Sequence, residues 1–231
     1  MNFLFDVDGT LTPAREPMDE KFKAFFAKWI TIQREQGHKV LFVTGSDKEK
    51  TIQQVGRNLW EFVNGSYQNC GNQLYVCGKL MRQSDWKMSA YLRLDILELI
   101  EKSPWYGTAT NNIEDRVGMV NISTIGRDCS RLQRKEYYKW DNVHLERRDI
   151  VKSLKYKHPD IDLAVGGEIS IDIYQKGKDK SQVIDRLGDK CIFVGDQCDL
   201  GGNDHTIAMK AHKYYAVKNY KETWELIKWI N

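Results

Sequence analysis

The sequence predicts an α/β fold, with a helix-covered parallel sheet into which a smaller α+β domain is inserted. Near both ends of the chain, short apolar runs alternate with helical patterns, which is typical of strand–helix–strand units in a parallel sheet. The middle of the chain lacks this alternation, which favours an antiparallel sheet beside helices. Acidic residues follow the first and last of the buried runs, Asp6 directly and Asp196 after Gly195.

The N-terminal part is predicted to be strand, helix, strand, helix. Residues 3–5 form an apolar run too short for a helix, and an Asp- and Gly-containing loop follows. Residues 18–36 place aromatic side chains on one face at helical spacing and end before Gly37. A buried strand over 40–43 and a helix over 47–58 complete the unit, and their short connections predict a right-handed parallel layout.

The pattern changes after about residue 65. A hairpin is expected over 65–83, a helix over 85–102, strands over 116–124 and 168–174, and mainly helix over 128–158. The earlier alternation returns with a helix over 179–187 and a buried strand over 191–194. We therefore predict a discontinuous core of residues 1–79 and 179–231 and an inserted cap of residues 80–178.

Composition excludes several classes of protein. Of the 231 residues, 41% are hydrophobic and 11% aromatic, which supports a sizeable core and argues against global disorder. The net charge of +3 is spread along the chain, so neither nucleic acid nor a membrane surface is an expected partner. Five cysteines without a CxxC pair disfavour a zinc ribbon and a disulfide framework. Because no signal peptide or membrane span is visible, we expect a cytoplasmic location.

Acidic side chains at strand ends predict a metal site. Asp6 and Asp8 lie two residues apart where the first strand ends, at the sheet edge where ligands bind in open parallel folds. Close carboxylates repel unless a cation compensates them, and Mg²⁺ prefers oxygen ligands. Asp196 is the expected third donor, with Asn203 and Asp204 orienting it from behind. Turn chemistry is the alternative explanation of D-x-D-G taken alone.

Four segments resemble the haloacid-dehalogenase (HAD)-like phosphotransferases. FLFDVDGTLT matches their first motif, Ser46 in LFVTGSD the second, Lys180 in GKDKSQV the third, and FVGDQCDLGGND the acidic strand end. Further segments, namely RVGMVNISTIGRDCS, GGEISIDIY and GDQCDLGGNDH, make the chain similar to eukaryotic-type phosphomannomutases over most of its length. The resemblance implies a Rossmann-like core with an inserted cap.

The resemblance also implies a reaction. It is the Mg²⁺-dependent interconversion of mannose 6-phosphate and mannose 1-phosphate, primed by a hexose 1,6-bisphosphate activator. Asp6 would be the nucleophile that becomes an aspartyl-phosphate, and Asp8 the general acid and base. Ser46 would hydrogen-bond the transferring phosphoryl group and Lys180 would neutralise its oxygens. The implied metal ligands are the carboxylates of Asp6 and Asp196 and the backbone carbonyl of Asp8.

A mutase must also bind the second phosphate of the sugar, for which arginine is well suited. The positions that match the family's phosphate-binding arginines are Arg116, Arg127 and Arg134 in the cap and Arg15 in the core. Ser170 and Asp172 match the sugar-hydroxyl contacts. Most other basic residues are expected to be solvated at the surface or to form ion pairs that contribute little to stability. Arg131, Arg147 and Arg148 are placed in this group.

The chain departs from the family in a longer helical segment over 18–36 and in two loops. Relatives usually carry Pro-Glu-Asn-Gly before the cap, where this chain has YQNCGN at residues 67–72. The loop after Asn-Asp-His is IAMKAHK, so a second cation is not expected. As in relatives, we expect a homodimer through the cap. A sugar-phosphate phosphatase of the same fold, a non-catalytic scaffold and, least favoured, a nucleic-acid-binding module are the alternatives, and the residues do not distinguish mannose from glucose phosphates.

Overall fold

The computed structural model describes residues 1–106, 110–188 and 190–230. It consists of two compact units. The core unit comprises Met1–Ser84, Lys178–Leu200 and the chain from Asp204 onward, and the cap unit comprises Asp85–Gly177 and Gly201–Asn203. The predicted boundaries, after residue 79 and before residue 179, stay predictions about the functional domains.

The core unit contains one seven-stranded sheet. Its strands are β1 (Asn2–Phe5), β2 (Lys39–Val43), β3 (Gly65–Gln68), β4 (Gln73–Val76), β5 (Lys79–Gln83), β10 (Cys191–Gly195) and β11 (Lys213–Ala216). In space their order is β11-β10-β1-β2-β3-β4-β5. The first five strands in this order are parallel, and β4 and β5 add an antiparallel hairpin. This confirms the predicted α/β class and the predicted hairpin.

Helices of the core unit surround this sheet. They are α1 (Glu20–Glu35), α2 (Lys48–Val55), α3 (Arg57–Phe62), α7 (Gln182–Leu187), α8 (His205–Lys210) and α9 (Tyr220–Ile227). The aromatic face of α1 packs on β1, with Phe26 and Trp29 edge-on to Phe5 at ring-centre distances of 5.1 and 5.7 Å. All three apolar residues of β1 are fully buried, as expected for a strand covered on both faces.

The cap unit is built on a four-stranded antiparallel sheet of order β6-β7-β9-β8. Its strands are β6 (Ile113–Arg116), β7 (Met119–Ile122), β8 (Ile161–Gly166) and β9 (Ser170–Gln175), and its helices are α4 (Ala90–Glu101), α5 (Arg131–His144) and α6 (Glu146–Lys157). Apolar side chains of α4 and α6 cover the sheet, including Ile96 and Leu154 against Val120 and Ile173. The predicted antiparallel cap sheet is therefore confirmed.

Several element boundaries differ from the prediction, and glycine explains two of them. Gly56 takes φ 83°, which ends α2 and separates α3 from it, so the helix over 47–58 is two helices. Gly118 takes φ 69° in a tight turn, so the strand over 116–124 is the hairpin of β6 and β7. Such φ values are readily adopted by glycine. Within the described ranges, no helix is both long and apolar enough to cross a membrane.

Candidate functional site

Three carboxylates cluster at the carboxyl ends of β1 and β10. Because Phe5 and Val194 are register partners in these parallel strands, Asp6 and Asp196 emerge side by side at the same sheet edge. Asp204 joins them from the loop before α8, and carboxylate oxygens of the three lie within 4.8 Å of one another. Asp6 is 4% exposed and Asp204 is fully buried. The structure therefore places Asp204 in the cluster itself, whereas Asn203 belongs to the cap unit.

Lys180 is the cation within this cluster. Its Nζ donates to Asp6 Oδ1 and to Asp204 Oδ1, each at 2.6 Å, and the side chain is almost fully buried. Burial alone would lower the lysine pKa, but the carboxylates of Asp204 and Asp6 raise it well above its usual value. Lys180 is therefore a permanent positive charge in contact with Asp6.

One ammonium does not balance three carboxylates. Burial, together with the charges of Asp204 and Asp196, raises the pKa of Asp6 well above its usual value despite the attraction of Lys180. Burial and the charge of Asp204 raise the pKa of Asp196 to about 6. A buried excess of carboxylate oxygens with raised pKa values is the donor set that a hard divalent cation compensates. The residues present therefore fit a magnesium ion.

Glycines allow the carboxylates to approach the chain closely. A Cβ on Gly9, which has φ 96°, would lie 2.5 Å from Asp196 Oδ2. A Cβ on Gly195 would lie 2.6 Å from Asp204 Oδ2. Neither position can hold a side chain unless the acidic cluster moves. The Gly of the D-x-D-G motif therefore leaves space for the acid from the neighbouring strand.

Asp8 is not one of the clustered carboxylates. Its Oδ2 accepts from Lys50 Nζ at 2.6 Å, and its Oδ1 accepts from the backbone N–H of Arg15 at 2.6 Å and from Gln54 Nε2 at 3.1 Å. Burial opposes ionisation, but Lys50 and these hydrogen bonds lower the pKa of Asp8. The carboxylate is therefore held ionised. Lys50 and Gln54 were missed by the sequence analysis, although their spacing of four places both on one face of α2.

Ser46 follows β2 and is 5% exposed. Its backbone N–H donates to Thr44 Oγ1 at 3.1 Å, and its carbonyl accepts from the backbone N–H of Asn69 at 2.9 Å. Thr10 also belongs to this region, since its hydroxyl lies 3.4 Å from both Asp6 Oδ2 and Asp196 Oδ1. Sequence analysis did not single out Thr10, although it lies within the segment FLFDVDGTLT, directly after the D-x-D-G motif.

The cap unit holds a second polar cluster on β7 and β9. Arg127 Nη1 donates to Asn121 Oδ1 and, at 3.1 Å, to Ser170 Oγ. Asn121 Nδ2 donates to Asp172 Oδ1 at 2.6 Å, because the two residues are register partners across the strands. The structure thus brings together the predicted Arg127, Ser170 and Asp172 through Asn121, which was not predicted. Asn121 could have been found if the pairing of β7 with β9 had been known, because it lies directly opposite Asp172.

The remaining predicted arginines have separate surroundings. Arg116 Nε lies 2.9 Å from Glu114 Oε1, and Arg127 Nη2 lies 2.7 Å from Glu114 Oε2. Arg134 on α5 is 7% exposed, and its Nη2 lies 3.7 Å from Cys129 Sγ. Arg15, in the core unit, adopts a left-handed φ of 59°. Glu114 was also missed by the sequence analysis, although its alternation with Arg116 along one strand places both on the same face.

Arg147 was predicted to be a surface residue, and this prediction was wrong. Its Nε lies 2.7 Å from Asp141 Oδ2 and the pair is almost fully buried. Its Nη1 donates to the carbonyls of Gly166, Gly167 and Ser170 at 3.3, 3.0 and 3.3 Å. The α5–α6 junction at Leu145, where φ is 58°, turns the chain so that these residues meet. Arg131 and Arg148 are exposed, as predicted.

Comparison with known proteins identifies the family. Residues 27–230 match the family described as eukaryotic phosphomannomutase. A phosphomannomutase of Saccharomyces cerevisiae is 36% identical over 220 residues, covering 88% of this chain and 83% of the relative. One of Drosophila melanogaster is 31% identical over 235 residues, covering 94% and 91%.

Solved structures support the fold. The C-terminal domain of a trehalose-6-phosphate phosphatase of C. albicans superposes with a TM-score of 0.64 at 15% identity, covering 98% of this chain and 90% of that one. A sugar phosphatase of HAD subclass IIB superposes with a TM-score of 0.58 at 15% identity, covering 96% and 90%. The fold is therefore HAD-like. Together with the matched sequence, this shows that the chain belongs to the eukaryotic phosphomannomutase family and that it is an isomerase.

Proposed function

We propose that this chain interconverts mannose 6-phosphate and mannose 1-phosphate through an aspartyl-phosphate, with a hexose 1,6-bisphosphate as activator. The observation that carries the proposal is the cluster of Asp6, Asp196 and Asp204, in which Lys180 contacts Asp6 and Asp204, in a chain whose relatives are named phosphomannomutases. These names favour the isomerase over the phosphatase alternative.

The proposal includes a magnesium ion. Asp6 and Asp196 would hold it, with Asp204 beside them and the backbone carbonyl of Asp8 as the expected further ligand. When bound, Mg²⁺ neutralises charge on the phosphoryl group and offsets the repulsion among the carboxylates.

Asp6 acts as the nucleophile. Its carboxylate oxygen forms a bond to phosphorus, while the bond from phosphorus to the sugar oxygen breaks. Asp8 is ionised at rest, so the proton that it gives to this leaving sugar oxygen is the one that it takes from the attacking sugar hydroxyl in the other half-reaction, and the sugar departs as an alcohol. In the second half-reaction, Asp8 takes the proton from a hydroxyl at the other end of the sugar. That oxygen then bonds to phosphorus, and the bond between phosphorus and Asp6 breaks.

Lys180 and Ser46 serve the transferring group in both half-reactions. Lys180 Nζ already contacts Asp6 at 2.6 Å, so it lies beside the oxygen that receives the phosphoryl group and can neutralise the oxygens of that group. The Ser46 hydroxyl is the proposed hydrogen-bond donor to the same oxygens. Lys50 and Gln54 hold the Asp8 carboxylate in one orientation, which supports its role as the proton acceptor.

The cap unit supplies the proposed recognition of the sugar and its second phosphate. Arg116, Arg127 and Arg134, with Arg15 from the core, are the proposed phosphate ligands, because guanidinium groups bind phosphate in a bidentate manner. Glu114 pairs with two of these arginines, which keeps their charges compensated before a phosphate binds. Ser170 and Asp172 are the proposed contacts to sugar hydroxyls.

Arg134→Ala tests the proposal. The variant should lose mannose 1-phosphate conversion by about 100-fold or more, because the second phosphate loses a charged partner, and should keep its hydrolysis of small phosphomonoesters. Conversion is measured by a coupled assay with and without the bisphosphate, and Arg148→Ala, an exposed arginine of the cap, is the control. Net phosphate release without isomer formation by the unmodified protein would contradict the proposed mutase activity.

Two further properties belong to the proposal. A homodimer through the cap is supported by the exposed apolar side chains of α4, where Tyr91, Leu94 and Leu97 are 80%, 63% and 45% exposed. A cytoplasmic location is supported by the five cysteines, none of which forms a disulfide within the described residues.

A further inference from the structure

The segment Asn69–Gly71 has an unusual backbone. Asn69, Cys70 and Gly71 have φ values of 51°, 56° and 86°, so three consecutive residues are in the left-handed region. Two of them are not glycine, and such a conformation persists only where the surroundings hold it. All three residues are buried. This segment, here called the strained loop, lies in the stretch where the chain departs from its family's Pro-Glu-Asn-Gly.

One side of the strained loop is bound to the segment that carries Ser46. The backbone N–H of Asn69 donates to the carbonyl of Ser46 at 2.9 Å, and that of Cys70 donates to the carbonyl of Thr44 at 2.9 Å. The two bonds span the turn after β2 on both sides of Gly45. The strained loop is therefore joined directly to the backbone of Ser46.

The other side is bound to the segment that carries Lys180. Gln182 is 3% exposed, and its Nε2 donates to the carbonyls of Cys70 and Lys178, each at 2.8 Å. A Cβ on Gly71 would lie 2.9 Å from Val183 Cγ2 and 3.2 Å from Gln182 Cγ, so the loop packs directly on α7. Arg186 Nη1 donates to the carbonyl of Gly71 at 2.9 Å and its Nη2 donates to Gln182 Oε1.

We propose that Gln182 is a positioning residue for phosphoryl transfer. Its amide joins the strained loop to the Lys180 segment, and the loop joins the Ser46 segment, so Gln182 sets the spacing between the two side chains that are proposed to contact the transferring phosphoryl group. The inference rests on the proposed roles of Ser46 and Lys180. Misplacing such groups lowers the rate of the chemical step far more than it weakens substrate binding.

Gln182→Met tests the proposal, since it keeps the length of the side chain and removes its amide. The readout is the single-turnover rate of phosphoryl transfer from a hexose 1,6-bisphosphate to the protein. We expect this rate to fall about tenfold or more while KM changes less than about twofold. The matched control is Gln33→Met, which alters an equally buried glutamine on α1 and should leave the rate unchanged.

Folding and function are separated by two further measurements. If Gln182→Met does not fold, Arg186→Met removes the neighbouring donor to the same loop and should lower the rate about threefold at unchanged KM. Rates within twofold of the unmodified protein, or a fall equal to that of Gln33→Met, would overturn the proposal. Because the readout is phosphoryl transfer to the protein, it tests Gln182 even if mannose 1-phosphate conversion fails in the unmodified protein.

Discussion

Asp196 shows how a single carboxylate can destabilise the structure that it serves. Its folded-state pKa of about 6 lies above the ordinary value of 3.8, because it is partly desolvated and faces Asp204. A raised carboxyl pKa means that the folded protein holds the proton more tightly than the unfolded chain. The contribution of Asp196 to the free energy of unfolding therefore increases as the pH falls from above 6 towards 4. Above pH 6 its ionised form is unfavourable unless a cation is bound.

We predict that Asp196→Asn raises the Tm of the metal-free protein at pH 7.5 by about 2–4 °C, since it removes about 1 kcal/mol or more of carboxylate repulsion. The same variant should lose the rise in Tm that Mg²⁺ causes in the unmodified protein. In the unmodified protein, that Mg²⁺-dependent rise should be smaller at pH 5 than at pH 7.5, because protons compete for the carboxylates. Calorimetry at both pH values measures all three effects. An unchanged Mg²⁺ effect in the variant would contradict the assignment of Asp196.

At the scale of the element, α5 and α6 depend on a buried ion pair. The Asp141 carboxylate on α5 accepts hydrogen bonds from the backbone N–H and from Nε of Arg147 on α6, at 2.9 and 2.7 Å. The other end of the Arg147 guanidinium binds three carbonyls of the turn between β8 and β9. One side chain therefore links two helices to the turn that leads to Ser170.

Arg147→Met should destabilise the protein by about 3–5 kcal/mol, because it leaves the buried Asp141 carboxylate without its partner. Arg148→Met, one residue further on the exposed face of the same helix, should change the unfolding free energy by less than about 0.5 kcal/mol. Chemical denaturation measures both variants. Adding Asp141→Leu to Arg147→Met should restore part of the lost stability, because no buried charge is then left unpaired. Equal stabilities of Arg147→Met and Arg148→Met would refute a structural role for the Asp141–Arg147 pair.

Across the whole molecule, α1 of the core unit and α4 of the cap unit differ in how much of their apolar surface is buried. In the core unit, α1 buries its aromatic face against β1. In the cap unit, α4 buries Leu92 and Ile96 but leaves Tyr91, Leu94 and Leu97 exposed at spacings of three residues, which places them on one face of the helix. Such an apolar surface is typical of an interaction site.

We predict a homodimer that Leu94→Glu converts to a monomer, because a charge at the centre of an apolar interface is costly to bury. Light scattering coupled to size-exclusion chromatography measures the mass. Trp229→Glu is the matched control, since Trp229 is an exposed apolar residue of the core unit, 83% exposed, and should leave the dimer intact. A monomeric unmodified protein at working concentration would refute this assembly.

Local sequence patterns predicted many of the helices and strands, whereas the boundaries of some of these elements depended on single glycines. Runs such as Phe3-Leu4-Phe5 and the aromatic face of α1 are strong signals because strand burial and helical spacing are both visible in neighbouring residues. The division of α2 from α3 at Gly56 was missed, because a glycine within a helical pattern can be tolerated or can end the helix.

The parallel core, the antiparallel cap sheet and the acids that follow β1 and β10 could all be predicted from the order of the residues. These features arise from spacing and turn chemistry over a few residues. Other features became visible only in the folded chain, namely that Asp204 joins the acidic cluster, that Lys50 binds Asp8, that Arg147 is buried and that Gln182 donates to the carbonyl of Cys70. Most of these contacts join residues far apart in the chain, and the burial of a polar side chain depends on the partners that the complete fold brings to it.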